Sequence, residues 1–195
     1  MPGNKLKEYK IILASASPRR QQFFKEMGLD FKVYPIHLDE IYPDHLKGNE
    51  ISDYLAILKA SGYKNKLGTK DILITSDTVV WHNSKSLAKP ADPQEAFAML
   101  RTLSNAWHQV ITSVCFTTLD QQQTVHHCTK VKFKELTTEE IEYYIQNYNP
   151  FDKAGGYGIQ DWIGLIGIEE IQGSYTNVVG LPTQLVYKTL MAMVD

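Results

Sequence analysis

The chain has 195 residues, in which 20 Lys and Arg face 22 Asp and Glu for a formal charge of −2. That balance excludes the basic excess needed to hold a nucleic-acid polymer. No stretch nears the roughly 18 apolar residues of a membrane span, and the polar Met1–Lys10 segment lacks the apolar core of a secretory signal. The expectation is one cytoplasmic domain over residues 1–195, able to bury roughly 70% of its unfolded surface, with Cys115 and Cys128 reduced.

In chain order, Tyr9 to Ala14 reads as a strand ending in small residues, and Pro18 suits the first turn of a helix running to about Met27. Phe31 to Ile36 reads as a second strand. Glu50 to Tyr63 places Ile51, Tyr54, Leu55 and Leu58 at helical spacing. Asp71 to Thr75 predicts a short buried strand opening into Ser76-Asp77-Thr78-Val79-Val80, with a loop over Asn83 to Ser86. Pro93 to Leu103 predicts a helix with Ala96, Met99, Leu100 and Leu103 on its apolar face. Val110 to Leu119 and Thr124 to Phe133 read as antiparallel strands around a polar turn. Thr137 followed three residues later by Glu140 predicts a capping box for a helix over 138–148. Gly164 to Glu170 and Tyr175 to Val179 read as strands on either side of Gly173, and Pro182 opens a last helix to Met193. The sum is a mixed α/β domain with parallel and antiparallel strands.

Two segments carry the chemistry. A strand running through Ser15-Ala16-Ser17 into a helix N-terminus leaves free N–H groups, and Arg19 and Arg20 add two forked cations, so a phosphate is the natural occupant. Pro150 to Gln160 contains Gly155, Gly156 and Gly158 among an acid, a lysine and a glutamine, a backbone that turns tightly or approaches a ligand closely. Asp39-Glu40, Asp77 and Asp152 fall near expected strand ends or turns, where α/β folds place their sites. Carboxylates beside a phosphate site can hold Mg²⁺ and polarise water. His126 and His127 project to opposite faces of a strand and form no metal site by themselves. His108, Trp81 and Trp162 read as packing residues, and Lys59 and Lys89 read as surface lysines when taken alone.

Taken together, these segments resemble a known family. Leu13-Ala14-Ser15-Ala16-Ser17-Pro18-Arg19-Arg20, Asp39-Glu40, Lys59-Ala60, Ser76 to Val80, Lys89-Pro90, His108-Gln109-Val110-Ile111-Thr112, Asp152-Lys153-Ala154-Gly155 with Tyr157-Gly158-Ile159-Gln160, and Gly173 to Pro182 follow the order of motifs in the Maf family of nucleoside triphosphate pyrophosphatases. The resemblance covers nearly the whole chain. It implies a mixed twisted sheet in two lobes around a deep cleft, similar to inosine triphosphate pyrophosphatases. It also implies hydrolysis of a nucleoside triphosphate to monophosphate and pyrophosphate with Mg²⁺ or Mn²⁺, in a homodimer. By the same resemblance Asp77 activates water, Glu40 and Asp77 hold the metal, and Lys59 joins them as catalytic. Ser15, Arg19, Arg20, Lys59 and Lys89 contact the triphosphate, with Thr78, Lys153 and Gln160 completing the substrate set and Gln160 reading the base.

Within the family, Arg19, Thr78, Asp152-Lys153 and Gln160 match the branch acting on dTTP and UTP rather than the 7-methyl-GTP branch. A glutamine amide offers a donor and an acceptor to a pyrimidine edge. Three departures stand out: Ala88 before Lys89-Pro90, Asn105 in the Leu103-Ser104-Asn105 turn, and Asp161 after Gln160 each replace a common glycine. Asn tolerates positive φ best among the other residues, so the turn at Asn105 is expected to survive. Two alternatives stay open: a nucleotide-binding regulator of cell division without turnover, and an inosine or xanthosine triphosphate pyrophosphatase.

Overall fold

The computed structural model describes residues 5–36, 38–63 and 66–194. After a short 3₁₀ turn, β1 (Lys10–Leu13) leads into α1 (Pro18–Glu26), followed by β2 (Phe31–Val33) and α2 (Asn49–Ser61). Next come β3 (Asp71–His82), β4 (Lys85–Leu87), α3 (Pro93–Leu103), β5 (Trp107–Thr117), β6 (Gln122–Phe133) and α4 (Thr138–Tyr148). Two 3₁₀ turns over 150–156 precede α5 (Trp162–Gly167), β7 (Ile168–Gln172), α6 (Tyr175–Val179) and α7 (Thr183–Val194). The strands form one mixed sheet in the order β2-β1-β3-β5-β6-β7, with β4 added to β3. β1 runs parallel to β2 and β3, and every other pairing is antiparallel.

Alternation along β3 builds the core on both faces. Ile72 and Ile74 pack with Ile11, Leu13, Phe24 of α1 and Val186 and Leu190 of α7. Leu73 turns the other way, toward Ile12 and the α2 residues Ala56 and Ala60. A separate apolar centre joins Val80 to α3, α4 and α5 through Leu100, Phe133, Ile141, Tyr144 and Ile163. The first two clusters flank β3 in one lobe and the third is the centre of the other, so β3 runs through both.

β3 makes a gap in the sheet. β5 covers one edge of it from Leu73 to Trp81. On the other edge β1 ends opposite Ile74, and β4 begins only opposite Val80. The β3 edge between these points, carrying Ser76, Asp77 and Thr78, is left to other partners. The expected short strand is therefore one long strand: the polar triplet pairs in register with Val114, Ser113 and Thr112 of β5, so it continues the ladder rather than ending it. The expected loop at Asn83 to Ser86 is the turn of a hairpin. Asn83 and Ser84 take φ of 47° and 60°, the two positive values of a tight hairpin turn, which an Asn-Ser pair signals less openly than Asn-Gly.

The last third differs from expectation in two places. Residues 162–167 are helical rather than extended, and the strand is shifted to 168–172. Gly164 permits this, because a Cβ there would stand 1.9 Å from the Ile159 carbonyl oxygen. Tyr175 to Val179 is a short helix, since Ser174 caps it by accepting from the Asn177 N–H. Other expectations match: Ser17 caps α1 with Pro18 inside its first turn, the Thr137/Glu140 capping box closes, and Asn105 adopts φ 53°. Both cysteines are free; Cys115 faces Thr124 and Cys128 faces Ile111 across the β5–β6 ladder.

Gly155 shows how tightly the second lobe closes on β3. Its φ is +71°, and a Cβ would lie 3.0–3.1 Å from three Val80 side-chain atoms. Its N–H donates to the Ala88 carbonyl at 3.0 Å. Gly155→Ala combines left-handed strain with overpacking and is expected to cost about 2–4 kcal/mol, read as a lower urea midpoint.

Candidate active site

The cleft opens at the gap in β3. Its volume is about 430 Å³, within the range of small-ligand sites, and Ser15, Arg19, Arg20, Glu40, Lys59, Asp77, Thr78, Lys89, Lys153 and Gln160 all line it. Asp152, Ser76, Tyr157, Gly158 and Val178 to Gly180 also line it, whereas Asp39 does not. Among the described residues, five cationic and three acidic side chains face the cavity, so an acidic protein carries a locally positive cleft.

Local structure dictates how the central cluster forms. The Thr75 hydroxyl donates to the Ala56 carbonyl at 2.6 Å, fixing α2 against β3. Lys59 is one helical turn beyond Ala56, and Asp77 is two residues beyond Thr75 on the same face of the strand. The two meet with Lys59 Nζ 2.5 Å from Asp77 Oδ1, and the same ammonium lies 2.8 Å from Glu40 Oε1. Lys89 Nζ approaches the other Glu40 oxygen at 3.9 Å. Burial pushes the Asp77 carboxyl above its ordinary range, against the pull of Lys59 and Arg20. Burial pushes Glu40 up too, but its hydrogen bond from Lys59 and the charges of Lys59, Lys89 and Arg20 prevail and hold it low. The two carboxyls that share Lys59 are thus shifted in opposite directions, Asp77 up and Glu40 down.

Arg20 is built into the frame more deeply than a phosphate contact alone requires. Its Nη1 donates to the Ser76 carbonyl at 2.9 Å, on the open edge of β3. Nη2 donates to Thr78 Oγ1 at 3.0 Å and Nε to the Gly180 carbonyl at 2.9 Å. Thr78 in turn meets Thr112 Oγ1, which donates to the Asn177 carbonyl. The guanidinium ties α1, β3 and the end of α6 together, and three of its five N–H groups are used in doing so. Burial lowers its pKa from the ordinary arginine value.

Arg19 reaches the other lobe, 3.5 Å from Asp152 Oδ2. Asp152 also accepts from Lys153 Nζ at 2.7 Å, and Lys153 lies 3.7 Å from Asp161 Oδ2. Burial raises the Asp152 pKa, but Lys153 and Arg19 outweigh it and draw it down. Ser15 Oγ accepts from the Ser17 N–H at 3.2 Å, shaping the turn ahead of α1.

His108, expected to be a packing residue, supports the cleft from behind. His108 Nε2 lies 2.6 Å from the Tyr157 hydroxyl, and both are buried. Burial, with His82 nearby, depresses the His108 pKa to about 3. In the unfolded chain this imidazole takes up a proton near pH 6.5, whereas in the fold it stays neutral, so unfolding is favoured as pH falls below 6.5. Between pH 7.5 and 5.5 this group alone is expected to remove about 1–2 kcal/mol of stability. Urea unfolding of the wild type and His108→Gln at the two pH values checks this, with a smaller pH dependence in the variant.

A family model described as Maf-like protein matches residues 10–193. The chain is 54% identical over 194 residues to the dTTP/UTP pyrophosphatase of Flavobacterium johnsoniae, covering 100% of both chains. It is 56% identical over 191 residues to the protein of the same name from Flavobacterium psychrophilum, covering 98% of each. Among solved structures, the nucleoside-triphosphatase / dITP/XTP pyrophosphatase from Mycobacterium abscessus is similar at 12% identity and a TM-score of 0.45, over 95% of this chain and 98% of that one. With the family model spanning all but the ends, and relatives above half identical along their whole length, the chain belongs to the Maf family.

Proposed function

We propose that the cleft hydrolyses dTTP and UTP to the monophosphate and pyrophosphate, a house-cleaning reaction on the nucleotide pool. The observation that carries this reading is the positive cleft of an acidic chain, built around a buried carboxylate. Cations gathered on one cavity fit a polyanion, and Asp77 fits the proton acceptor for water. The relatives named dTTP/UTP pyrophosphatase support the choice of nucleotide, and Gln160, whose amide can pair with a pyrimidine edge, lines the same cavity.

In the step proposed, Asp77 takes a proton from water as its oxygen attacks the α-phosphorus. The bond to the bridging oxygen of the β-phosphate breaks, and pyrophosphate leaves with that oxygen. Arg19, Lys89 and Lys153, which line the cavity with Arg20, offset the charge that develops. Lys59 keeps the Asp77 and Glu40 carboxylates together despite their like charge.

No group of three or more His, Cys, Asp or Glu among the described residues forms a metal cage. Mg²⁺ on a phosphate substrate needs only one or two carboxylates, and Glu40 and Asp77 converging on one cation supply that donor set. These two residues would hold Mg²⁺ or Mn²⁺, which would neutralise phosphate charge when bound.

Hydrolysis of UTP in ¹⁸O-labelled water tests the reaction. The expected result is label in UMP and none in pyrophosphate. Release of orthophosphate, or label in pyrophosphate, would contradict attack at the α-phosphorus.

A further inference from the structure

Gln160 stands at the exposed tip of a four-residue turn from Gly158 to Asp161, closed by the Asp161 N–H donating to the Gly158 carbonyl at 3.0 Å. Behind that turn lies Tyr144 of α4, wholly buried in the apolar centre of the second lobe. Its hydroxyl donates to Asp161 Oδ2 at 2.8 Å and accepts from the Gly158 N–H at 3.0 Å. One phenol therefore clamps both ends of the turn that carries Gln160. The same Asp161 oxygen lies 3.7 Å from Lys153 Nζ. The turn has no slack: a Cβ on Gly158 would stand 2.6 Å from Asp161 Oδ2 and 2.9 Å from Gln160 Nε2. Asp161 itself is not part of the cavity wall.

An amide is an ambiguous reader. Uracil and thymine present an acceptor at O4, whereas cytosine presents an amino donor at that position. A glutamine free to turn over can satisfy either pattern with its NH₂ or its carbonyl. Discrimination requires that the amide be held in one place and one orientation, so that the wrong base leaves a polar group unpaired.

We propose that Tyr144 and Asp161 are positioning residues that fix the Gln160 turn, and that this clamp sets how sharply the cleft separates UTP and dTTP from CTP. The inference rests on the proposed pyrophosphatase function and adds to it a source of base selectivity outside the cavity wall.

The test compares kcat and KM for UTP, dTTP and CTP in the wild type and in Tyr144→Phe, Asp161→Ala and Asp161→Asn, with thermal unfolding of each. Tyr144→Phe and Asp161→Ala each break the clamp, whereas Asp161→Asn keeps an acceptor for the phenol. In both clamp-breaking variants the UTP-to-CTP ratio of kcat/KM is expected to fall about tenfold, mainly through a higher KM for UTP. Asp161→Asn is expected to restore most of that ratio, a rescue that general destabilisation would not give. If Tyr144→Phe does not fold, Asp161→Ala against Asp161→Asn carries the same comparison. An unchanged ratio in folded Asp161→Ala, or a wild type that already treats UTP and CTP alike, overturns the inference while leaving the pyrophosphatase reading intact. A wild type that turns over none of the three overturns that reading, and the clamp's role with it.

Discussion

Asp77→Asn is expected to lower kcat for dTTP and UTP by about 10³- to 10⁴-fold, with nucleotide affinity changed by less than about threefold. The substitution is nearly isosteric and keeps an oxygen for Lys59, so the 2.5 Å contact that ties α2 to β3 has a replacement. What it removes is the ability to accept a proton from water and the charge of one of the two carboxylates that would hold the divalent ion. The cations that face the triphosphate are untouched, and loss of a negative charge beside them leaves binding as strong or stronger. Single-turnover hydrolysis and calorimetric binding of a non-hydrolysed analogue separate the two effects. A variant with kcat within about tenfold of wild type would remove Asp77 from the role of base.

Arg20→Lys is the second large effect, and the direction is not obvious from charge alone. Lysine keeps the positive charge that a phosphate needs, yet it cannot reproduce a planar fork spanning Ser76, Thr78 and Gly180. Losing two of three such hydrogen bonds, and leaving the Ser76 carbonyl on an open strand edge, is expected to cost about 2–4 kcal/mol. That corresponds to roughly 5–15 °C in Tm for a chain of this size. Because the same guanidinium fixes Thr78 in the cleft, kcat/KM is expected to fall about 100-fold. Arg19→Lys is the internal comparison: Arg19 makes only the 3.5 Å contact to Asp152, and its replacement is expected to leave Tm unchanged. Equal Tm values for both variants would show that Arg20 acts as a ligand contact and not as a tie across the gap in β3.

The sequence was most readable where a local rule carried the information. Ser17-Pro18, the Thr137/Glu140 box and Asn105 are caps and turns whose chemistry lies within four residues. It was least readable where a distant partner decides the outcome. Ser76-Asp77-Thr78 looks like a strand end because polar residues rarely sit mid-strand, but Ser113 and Thr112 of β5 accept the same polarity across the ladder. Residues 162–167 contain Ile163, Leu165 and Ile166 in an apolar stretch that suits strand or helix alike; the approach of the Ile159 carbonyl to Gly164 decides for the helix.

The site followed the same division. Motif order was enough to name residues from six parts of the chain that share one cavity. It could not give the second job of Arg20, the paired state of Arg19 and Lys153 at Asp152, or the anchoring of Gln160 by Tyr144. Except for the neighbouring Lys153–Asp152 pair, each of these joins residues more than a dozen positions apart. Asp161 did carry a signal: a charged residue in a glycine-rich turn, where the sequence alone pointed to the base end without revealing that the carboxylate accepts from the buried Tyr144 hydroxyl.

The most direct measurement is pyrophosphate release from dTTP, UTP, CTP, ITP and 7-methyl-GTP, side by side with Mg²⁺ and with Mn²⁺. Turnover is expected to depend on the divalent ion, with dTTP and UTP well ahead of the other three. Binding of all five with turnover of none would instead describe a nucleotide sensor, and preference for ITP would contradict the reading of Gln160.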